Sequence, residues 1–415
     1  MLLTLPDEIL LKILRCVQRL PHFLEYTTKR DVLSCRLVCR RLSRIGEDIV
    51  FEDIILAPSR SGFQPVLSLS NSSLRHKVKK LRCFFEIFDP QLTTSIDLFT
   101  AEIERRNTRN FCLVEILDED VRHDFEAYQE GFHWQTLLEQ SVLDTAVFGH
   151  ALNRLENLSS ISLSQIYTHS MHNEPDIGED NPSDVIQSPV GHMIFEALVD
   201  ALVQCGRHIE DLTLGYLDED CFPSTDDSGL VGIIQRLNPE SYPKYRQAFG
   251  KLKRLTIVLP WTMGEYEELN YSGLSALIRS APALECLCLT SECLSLDFLP
   301  VDFLLSIRAP NLSTLVLHNA MFQEPTDLLA LLQMHAATLR VLDLSDIILE
   351  RDSWQTVLFK TRSFLRLQSC TIRDLFVGND GTGEAICPPE ELCQFYQAVE
   401  DFVCRKSDEN PFQLL

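Results

Sequence analysis

The chain has 415 residues, 45% of them hydrophobic and 23% charged, which is the balance of a soluble globular protein with a sizeable core and excludes a disordered one. A formal charge of -23 opposes a nucleic-acid backbone or an anionic membrane as principal partner, since both carry the same sign. Fourteen cysteines with no paired CxxC ladder exclude a disulfide scaffold and a zinc ribbon, and fit a reduced compartment, cytoplasmic or nuclear.

The first element is announced by Pro6, followed by Asp7 and Glu8, ahead of apolar residues at helical spacing. Ile9, Leu10, Ile13 and Leu14 give that helix a broad apolar face. The opening segment MLLTLPDEILLKIL lacks a basic n-region and a small-residue cleavage site, so it is not expected to be a signal peptide. No later stretch runs for the roughly 18–20 apolar residues that a membrane span requires. A second helix is expected over Leu33–Leu42, with Asp31 as its cap and Leu33, Leu37, Val38 and Leu42 as its stripe, flanked by Arg36, Arg40, Arg41 and Arg44. Residues 1–50 hold nine Lys/Arg against six Asp/Glu, so a basic head precedes an acidic body. By periodicity alone, two such helices serve equally well as a cap on the next domain or as a docking module.

The spelling decides between them. LPDEILLKIL and LSCRLVCRRLSRI together resemble the F-box over residues 3–50: a Leu-Pro start, an Ile/Leu-rich helix and a second helix with a Leu-Val-Cys-Arg core. The resemblance implies docking onto an acidic Skp-type adaptor and, through it, a cullin. By position it assigns adaptor contacts to Leu5, Pro6, Ile9, Leu10 and Leu14 and to Leu33, Leu37, Val38, Cys39 and Leu42. Some of these must instead pack the helices together, and the sequence does not divide the roles. The stretch Arg15–Arg30 is longer than the usual link between the two helices.

Residues 51–150 are expected to hold a linker and the first irregular repeats, with a strand at Phe51–Leu56 and an early repeat word at Val78 and Leu81. From there the word Leu-x-x-Leu-x-Leu recurs, at Leu158/Ile161/Leu163, Ile209/Leu212/Leu214, Leu252/Leu255/Ile257, Leu284/Leu287/Leu289, Leu312/Leu315/Leu317 and Leu339/Leu342/Leu344, with a degraded copy near Leu365 and Leu367. Central positions are 51, 43, 32, 28, 27 and 23 residues apart, converging on the leucine-rich-repeat period of about 20–29. The predicted fold is α/β: a helical F-box (1–50), then an irregular leucine-rich-repeat solenoid (151–380) with strands concave and helices convex, closed by a C-terminal capping helix (381–415) that Pro388 and Pro389 open. The whole resembles fungal-type F-box proteins with a leucine-rich-repeat-like domain. An ordinary α/β sheet is the competing fold. The segments His169–Ser188 and Asp218–Asp227 are expected to be surface loops, as is the acidic run Asp118-Glu119-Asp120.

No catalytic motif emerges: there is no GxSxG elbow, no HExxH and no phosphate-binding glycine loop, and Cys286, Cys288 and Cys293 lack companion ligands for a metal. A non-catalytic protein without cofactor or metal is expected. Residues alternating with the core leucines face the concave side, and there Arg254, Thr256, Cys288, Thr290, Thr314, Val316, His318, Asp343 and Arg366 are the candidate contacts for a target protein. Two functions follow from this. One is the substrate-recognition subunit of an SCF-type cullin ubiquitin ligase; the other is a non-ligase interaction scaffold that uses the repeat domain.

Overall fold

Parallel pairing between strands that follow one another in the sequence organises the chain. A computed structural model describes residues 5–18, 26–56, 60–109, 118–139, 143–168, 190–215, 231–259, 271–291, 301–322, 324–349, 354–377, 384–385 and 392–413. The chain divides into two units. The first holds the described residues up to 168 together with 200–207, and the second holds 190–199, 208–215 and those from 231 onward. The two loops expected at 169–188 and 218–227 lie outside the described residues, as does the Pro388–Glu391 segment expected to open the last helix.

The first unit starts with three helices, α1 (Asp7–Gln18), α2 (Tyr26–Val38) and α3 (Arg40–Val50), and continues with β1 (Asp53–Leu56), α4 (Arg60–Ser70), β2 (Lys80–Phe88), α5 (Ile96–Arg109), α6 (Asp118–Glu139), α7 (Leu143–Arg154) and β3 (Ser160–Thr168). The strands pair in parallel in the order β1-β2-β3, with Ile54 opposite Leu81 and Leu81 opposite Ile161. Val78, Leu81 and Cys83 are fully buried, so the early repeat word is complete once Cys83 is read as its third apolar member. Asp118–Asp120 opens α6 rather than forming a loop. Acidic residues suit that end of a helix, where backbone N–H groups lack partners.

The second unit takes the first ten residues of α8 (Val190–Cys205) and continues with β4 (Asp211–Leu214), α9 (Val231–Arg236), α10 (Tyr242–Phe249), β5 (Arg254–Leu259), α11 (Tyr271–Arg279), β6 (Cys286–Ser291) and α12 (Val301–Ser306). Then follow β7 (Thr314–Phe322), α13 (Pro325–Met334), β8 (Val341–Leu349), α14 (Trp354–Phe364), β9 (Ser369–Val377), β10 (Glu384–Ala385) and α15 (Leu392–Val403). Strands β4 to β9 are parallel and adjacent in sequence order, and β10 adds an antiparallel edge to β9. Their apolar residues stack in two buried rows, Leu212-Leu255-Leu287-Leu315-Leu342-Cys370 and Leu214-Ile257-Leu289-Leu317-Leu344-Ile372. Helices α11 to α15 pack side by side in order. Crossovers of one hand in a sheet of sequential order place the helices on one face, and among the described residues no helix is then expected over the other.

Register corrects the last repeat. Cys370, not Leu365, stands opposite Leu342, so the final word is Leu367-x-x-Cys370-x-Ile372 and the last three steps are 28, 27 and 28 residues. A cysteine in place of a leucine hid it.

One backbone device recurs at the start of β2, β3 and β5 to β8. A carbonyl just before the strand accepts from two consecutive N–H groups of the next one: Glu52 from Lys79 and Lys80, Lys79 from Ser159 and Ser160, Glu210 from Lys253 and Arg254, Lys253 from Glu285 and Cys286, Glu285 from Ser313 and Thr314, and Ser313 from Arg340 and Val341. Asparagines reinforce it: Asn157 Nδ2 donates to His76 O (2.6 Å) and Asn311 Nδ2 to Pro282 O (3.0 Å), from equivalent positions in repeats of different units. The repeats are therefore equivalent in backbone geometry even where the side chains have drifted.

The chain end covers the last strand. Phe395, Val399, Phe402 and Val403 of α15 are buried, and Arg362 of α14 donates to Phe402 O (2.6 Å) while lying 4.3 Å from the centre of the Phe402 ring. In β7 and β8 the aligned residues Asn319 (φ 52) and Asp346 (φ 54) adopt left-handed backbone, after which Ala320–Phe322 and Ile347–Leu349 are consecutively buried. Asn and Asp tolerate this conformation, whereas a β-branched residue loses about 1–2 kcal/mol there. Replacing Asp346 with Val is expected to lower the unfolding free energy of the second unit by that amount, and Asp346→Asn to leave it nearly unchanged, as read by urea denaturation.

Candidate docking site and the open sheet face

The three N-terminal helices close on themselves. Leu10 and Leu14 of α1, Val32 of α2, and Leu42, Ile45 and Ile49 of α3 form a buried cluster, with Leu5, Leu11, Cys35, Cys39 and Val50 partly buried against it. The sequence predicts one helix through Leu33–Leu42, but the chain breaks at Cys39. Its backbone is extended (φ -161, ψ 162) and its Sγ accepts from Leu42 N (3.5 Å), capping α3. Helix α2 begins at Tyr26, so Asp31 lies inside it and is not a cap.

Asp7 locks the entry of α1 to α3. Its two carboxylate oxygens accept from Arg41 Nε (2.7 Å) and Arg44 Nη2 (2.7 Å), while Arg41 Nη2 also donates to Leu5 O (2.6 Å). The hydrogen bond from Arg41 holds the Asp7 carboxyl below the usual carboxylate range, with Arg44 adding to the effect. The start of α1 is thus placed by charge and its far side by packing.

The ten residues assigned to adaptor contact are divided by this arrangement. Leu10, Leu14 and Leu42 are core, and Leu5 and Cys39 are half-buried against it. The rest face outward: Pro6 is exposed, Ile9 is 40% exposed, Leu33 45%, Val38 69% and Leu37 89%. Leu33 and Leu37 are one turn apart on α2, so they share a face. Arg40 and Arg44, next along the chain, are exposed as well. These large apolar side chains stay open although the module has a buried core of its own.

The F-box-like family model matches residues 2–54, which supports an F-box protein. No curated protein matches the chain. An F-box domain implies binding to a Skp-type adaptor and suggests an adaptor-binding receptor role; F-box proteins are generally non-catalytic.

Ion pairs stitch the helices to the strands of the first unit. Arg15 of α1 lies 3.5 Å from Glu52, Lys79 Nζ 2.8 Å from Glu52 and Arg82 Nε 3.0 Å from Asp53, while Lys77 pairs with Asp48 of α3. Arg36 lies 5.3 Å from the centre of the Phe51 ring and 3.7 Å from Glu47. Each such pair contributes at most about 1 kcal/mol at the surface, but several acting together fix direction. The sequence signal was the basic run from Arg75 to Arg82 following the acidic Glu47–Asp53 segment.

In the second unit, eight of the nine residues expected to contact a target lie on the open face, in register. Arg254 and Thr314 belong to the row Asp211-Arg254-Cys286-Thr314-Val341-Ser369, and Thr256, Cys288, Val316 and Asp343 to the row Thr213-Thr256-Cys288-Val316-Asp343-Thr371. Thr290 and His318 stand in a third row, between Val258 and Ser345. Val258 is itself buried at 2% exposure. Arg366 precedes β9 by three residues, and the shifted register gives its place to Thr371 and Arg373.

Two polar clusters flank the small central residues. Arg254 donates from Nε (3.2 Å) and Nη2 (3.0 Å) to Asp211, beside a cleft of about 160 Å³ lined in part by Lys253, Glu285, Ser313 and Thr314. At the other, His318 Nε2 lies 3.4 Å from Asp343 Oδ1, and Ser345 Oγ donates to the same carboxylate (3.2 Å). Burial acts to raise the Asp343 carboxyl, but His318, Ser345 and Arg373 outweigh it and hold it below the usual range. The His318 ring nitrogen lies at ion-pair distance from this carboxylate without meeting hydrogen-bond geometry. Burial pushes the Cys286 and Cys288 thiols up, so neither is an activated nucleophile.

Truncating a core leucine typically costs about 2–5 kcal/mol, whereas a surface change stays within about 0.5 kcal/mol. Chemical denaturation of the N-terminal module is therefore expected to show Leu10→Ala strongly destabilised and Leu37→Ala nearly wild type. For Asp7, a depressed folded pKa means its contribution is fully present above the unfolded carboxylate value and is lost as pH falls through the folded value. Protection of the α1 amides relative to their intrinsic exchange rates should be insensitive to this group between about pH 5 and 8, fall once the pH drops below the unfolded carboxylate value, and lose that acid step in Asp7→Asn.

Proposed function

We propose that the chain is the substrate-recognition subunit of an SCF-type cullin ubiquitin ligase, acting in the cytoplasm or nucleus. The F-box-like helices hold a Skp-type adaptor, the adaptor joins the chain to a cullin, and the open sheet face holds a target protein. Ubiquitin transfer is then carried out by other subunits, and this chain contributes proximity. The single observation carrying the reading is the outward set Ile9, Leu33, Leu37 and Val38 on a helical module whose own core is already closed. Burying each of these against a partner would contribute about 1.5–3 kcal/mol before the cost of association.

The repeats are read as a leucine-rich-repeat-like solenoid. Sequential parallel strands, helices on one face, the doubled hydrogen bond recurring at strand starts and the closing 28-, 27- and 28-residue steps support this reading over an ordinary α/β sheet. In a doubly wound sheet the strand order reverses and both faces are covered. Here the target face is neutral, with small side chains between two polar clusters, which suits a protein surface better than a small ligand.

Leu37→Asp should weaken adaptor binding by at least about 100-fold, the loss expected for a central interface residue, with unfolding unchanged. Val316→Arg should leave adaptor binding intact and abolish co-purification of targets trapped by an F-box-deleted chain. Adaptor binding that survives both Leu37→Asp and Val38→Asp contradicts the docking assignment.

A further inference from the structure

Two cysteines outside both of these sites are brought together at the C-terminal end of the chain. Cys370 lies on β9 and is 5% exposed; Cys404, the residue after α15, is half-buried. The two thiols influence one another's ionisation. One turn back along the helix, Glu400 Oε1 accepts from Ile372 N (3.3 Å), two residues further along the strand. The spacings carry that contact one step further: residues four apart on a helix are separated by about 6 Å along its axis and residues two apart on a strand by about 6.6 Å, which brings residue 404 over residue 370. Helix α15 therefore runs back along β9, with residues 400 and 404 over 372 and 370, and the rigid packing of Val399, Phe402 and Val403 holds the sulfurs in place.

We propose that Cys370 and Cys404 form a reversible disulfide when the protein meets a hydroperoxide, a modification site that latches the C-terminal helix onto the last parallel strand. Cys404 is the attacking sulfur, because it is the one that solvent reaches. The neighbouring Cys370 thiol lowers the Cys404 thiol, with Lys406 assisting and burial, Glu400 and Asp401 opposing. Cys404 and deep burial push Cys370 up, as burial does for the Cys205, Cys286 and Cys288 thiols. A lowered thiol carries more of its nucleophilic thiolate form at neutral pH.

The chemistry balances without another reagent. The Cys404 thiolate attacks the hydroperoxide oxygen, the O–O bond breaks, and the leaving oxyanion takes up a proton as water or an alcohol, giving a sulfenic acid. The Cys370 sulfur then attacks the Cys404 sulfur; the S–O bond breaks and hydroxide leaves with the Cys370 proton as water. In sum, two thiols and one hydroperoxide give one disulfide, one water and one alcohol or second water.

The test is to titrate the reduced full-length chain with hydrogen peroxide, block the remaining thiols and map the peptides by mass spectrometry. The expected result is one Cys370–Cys404 link per chain, removed by dithiothreitol, with an initial rate that rises with pH and a higher thermal midpoint once formed. Cys370→Ser should stop the reaction at a Cys404 sulfenic acid that dimedone captures, and Cys404→Ser should leave Cys370 a free thiol. Should either variant fail to fold, the wild-type map and its pH dependence decide alone. Recovery of Cys370 as a free thiol while Cys404 is over-oxidised or unreacted overturns the proposal.

Discussion

The described parallel strands each carry an apolar face that a strand cannot cover by itself, and burying those faces organises the sheet in each unit. A row of leucines is buried only if the next strand continues the row and a helix lies over it, so pairing must proceed in sequence order with the crossovers on one side. The doubled hydrogen bond at the start of β2, β3 and β5 to β8 aligns the rows, since one carbonyl fixes two consecutive amides of the neighbour. Where the run ends, the edge needs a cover, and α15 supplies it through Phe395, Val399 and Phe402, clamped by Arg362.

Covering one face leaves the other free, and there the side chains are released from packing. That is why the residues between the buried rows are small and polar, with charge collected into the Arg254–Asp211 and His318–Asp343 clusters. The N-terminal helices follow the opposite logic. Their core is small and complete, so the apolar residues beyond it have no internal purpose, and Leu37 remains 89% exposed. That exposure is the ground on which the docking proposal rests.

Much of this was legible in the sequence because the leucine word repeats and because Leu-Pro-Asp-Glu and Leu-Val-Cys-Arg are specific spellings. What stayed hidden had physical causes. Periodicity runs straight through Cys39, since the residues on either side of it are helical, and only the extended backbone at the cap divides α2 from α3. The last repeat substitutes Cys370 for leucine, which moved the apparent strand by several residues and carried Arg366 with it. The exposed and buried halves of the adaptor set share one pattern, because a docking face and a core face both call for leucine. The ionic ladder from Arg15 to Arg82 joins residues far apart in sequence and leaves no periodic trace.

The central claim is that the outward apolar set on α1 and α2 is a docking surface for an adaptor. Hydrogen exchange of the full-length chain, with and without a Skp-type adaptor, addresses it most directly. The account predicts slowed exchange at the first turns of α1 and from Leu33 through the start of α3, with the open sheet face of the second unit unchanged. A complex in which those amides exchange as in the free chain, or in which protection falls on the Thr256-Cys288-Val316 row, would contradict it.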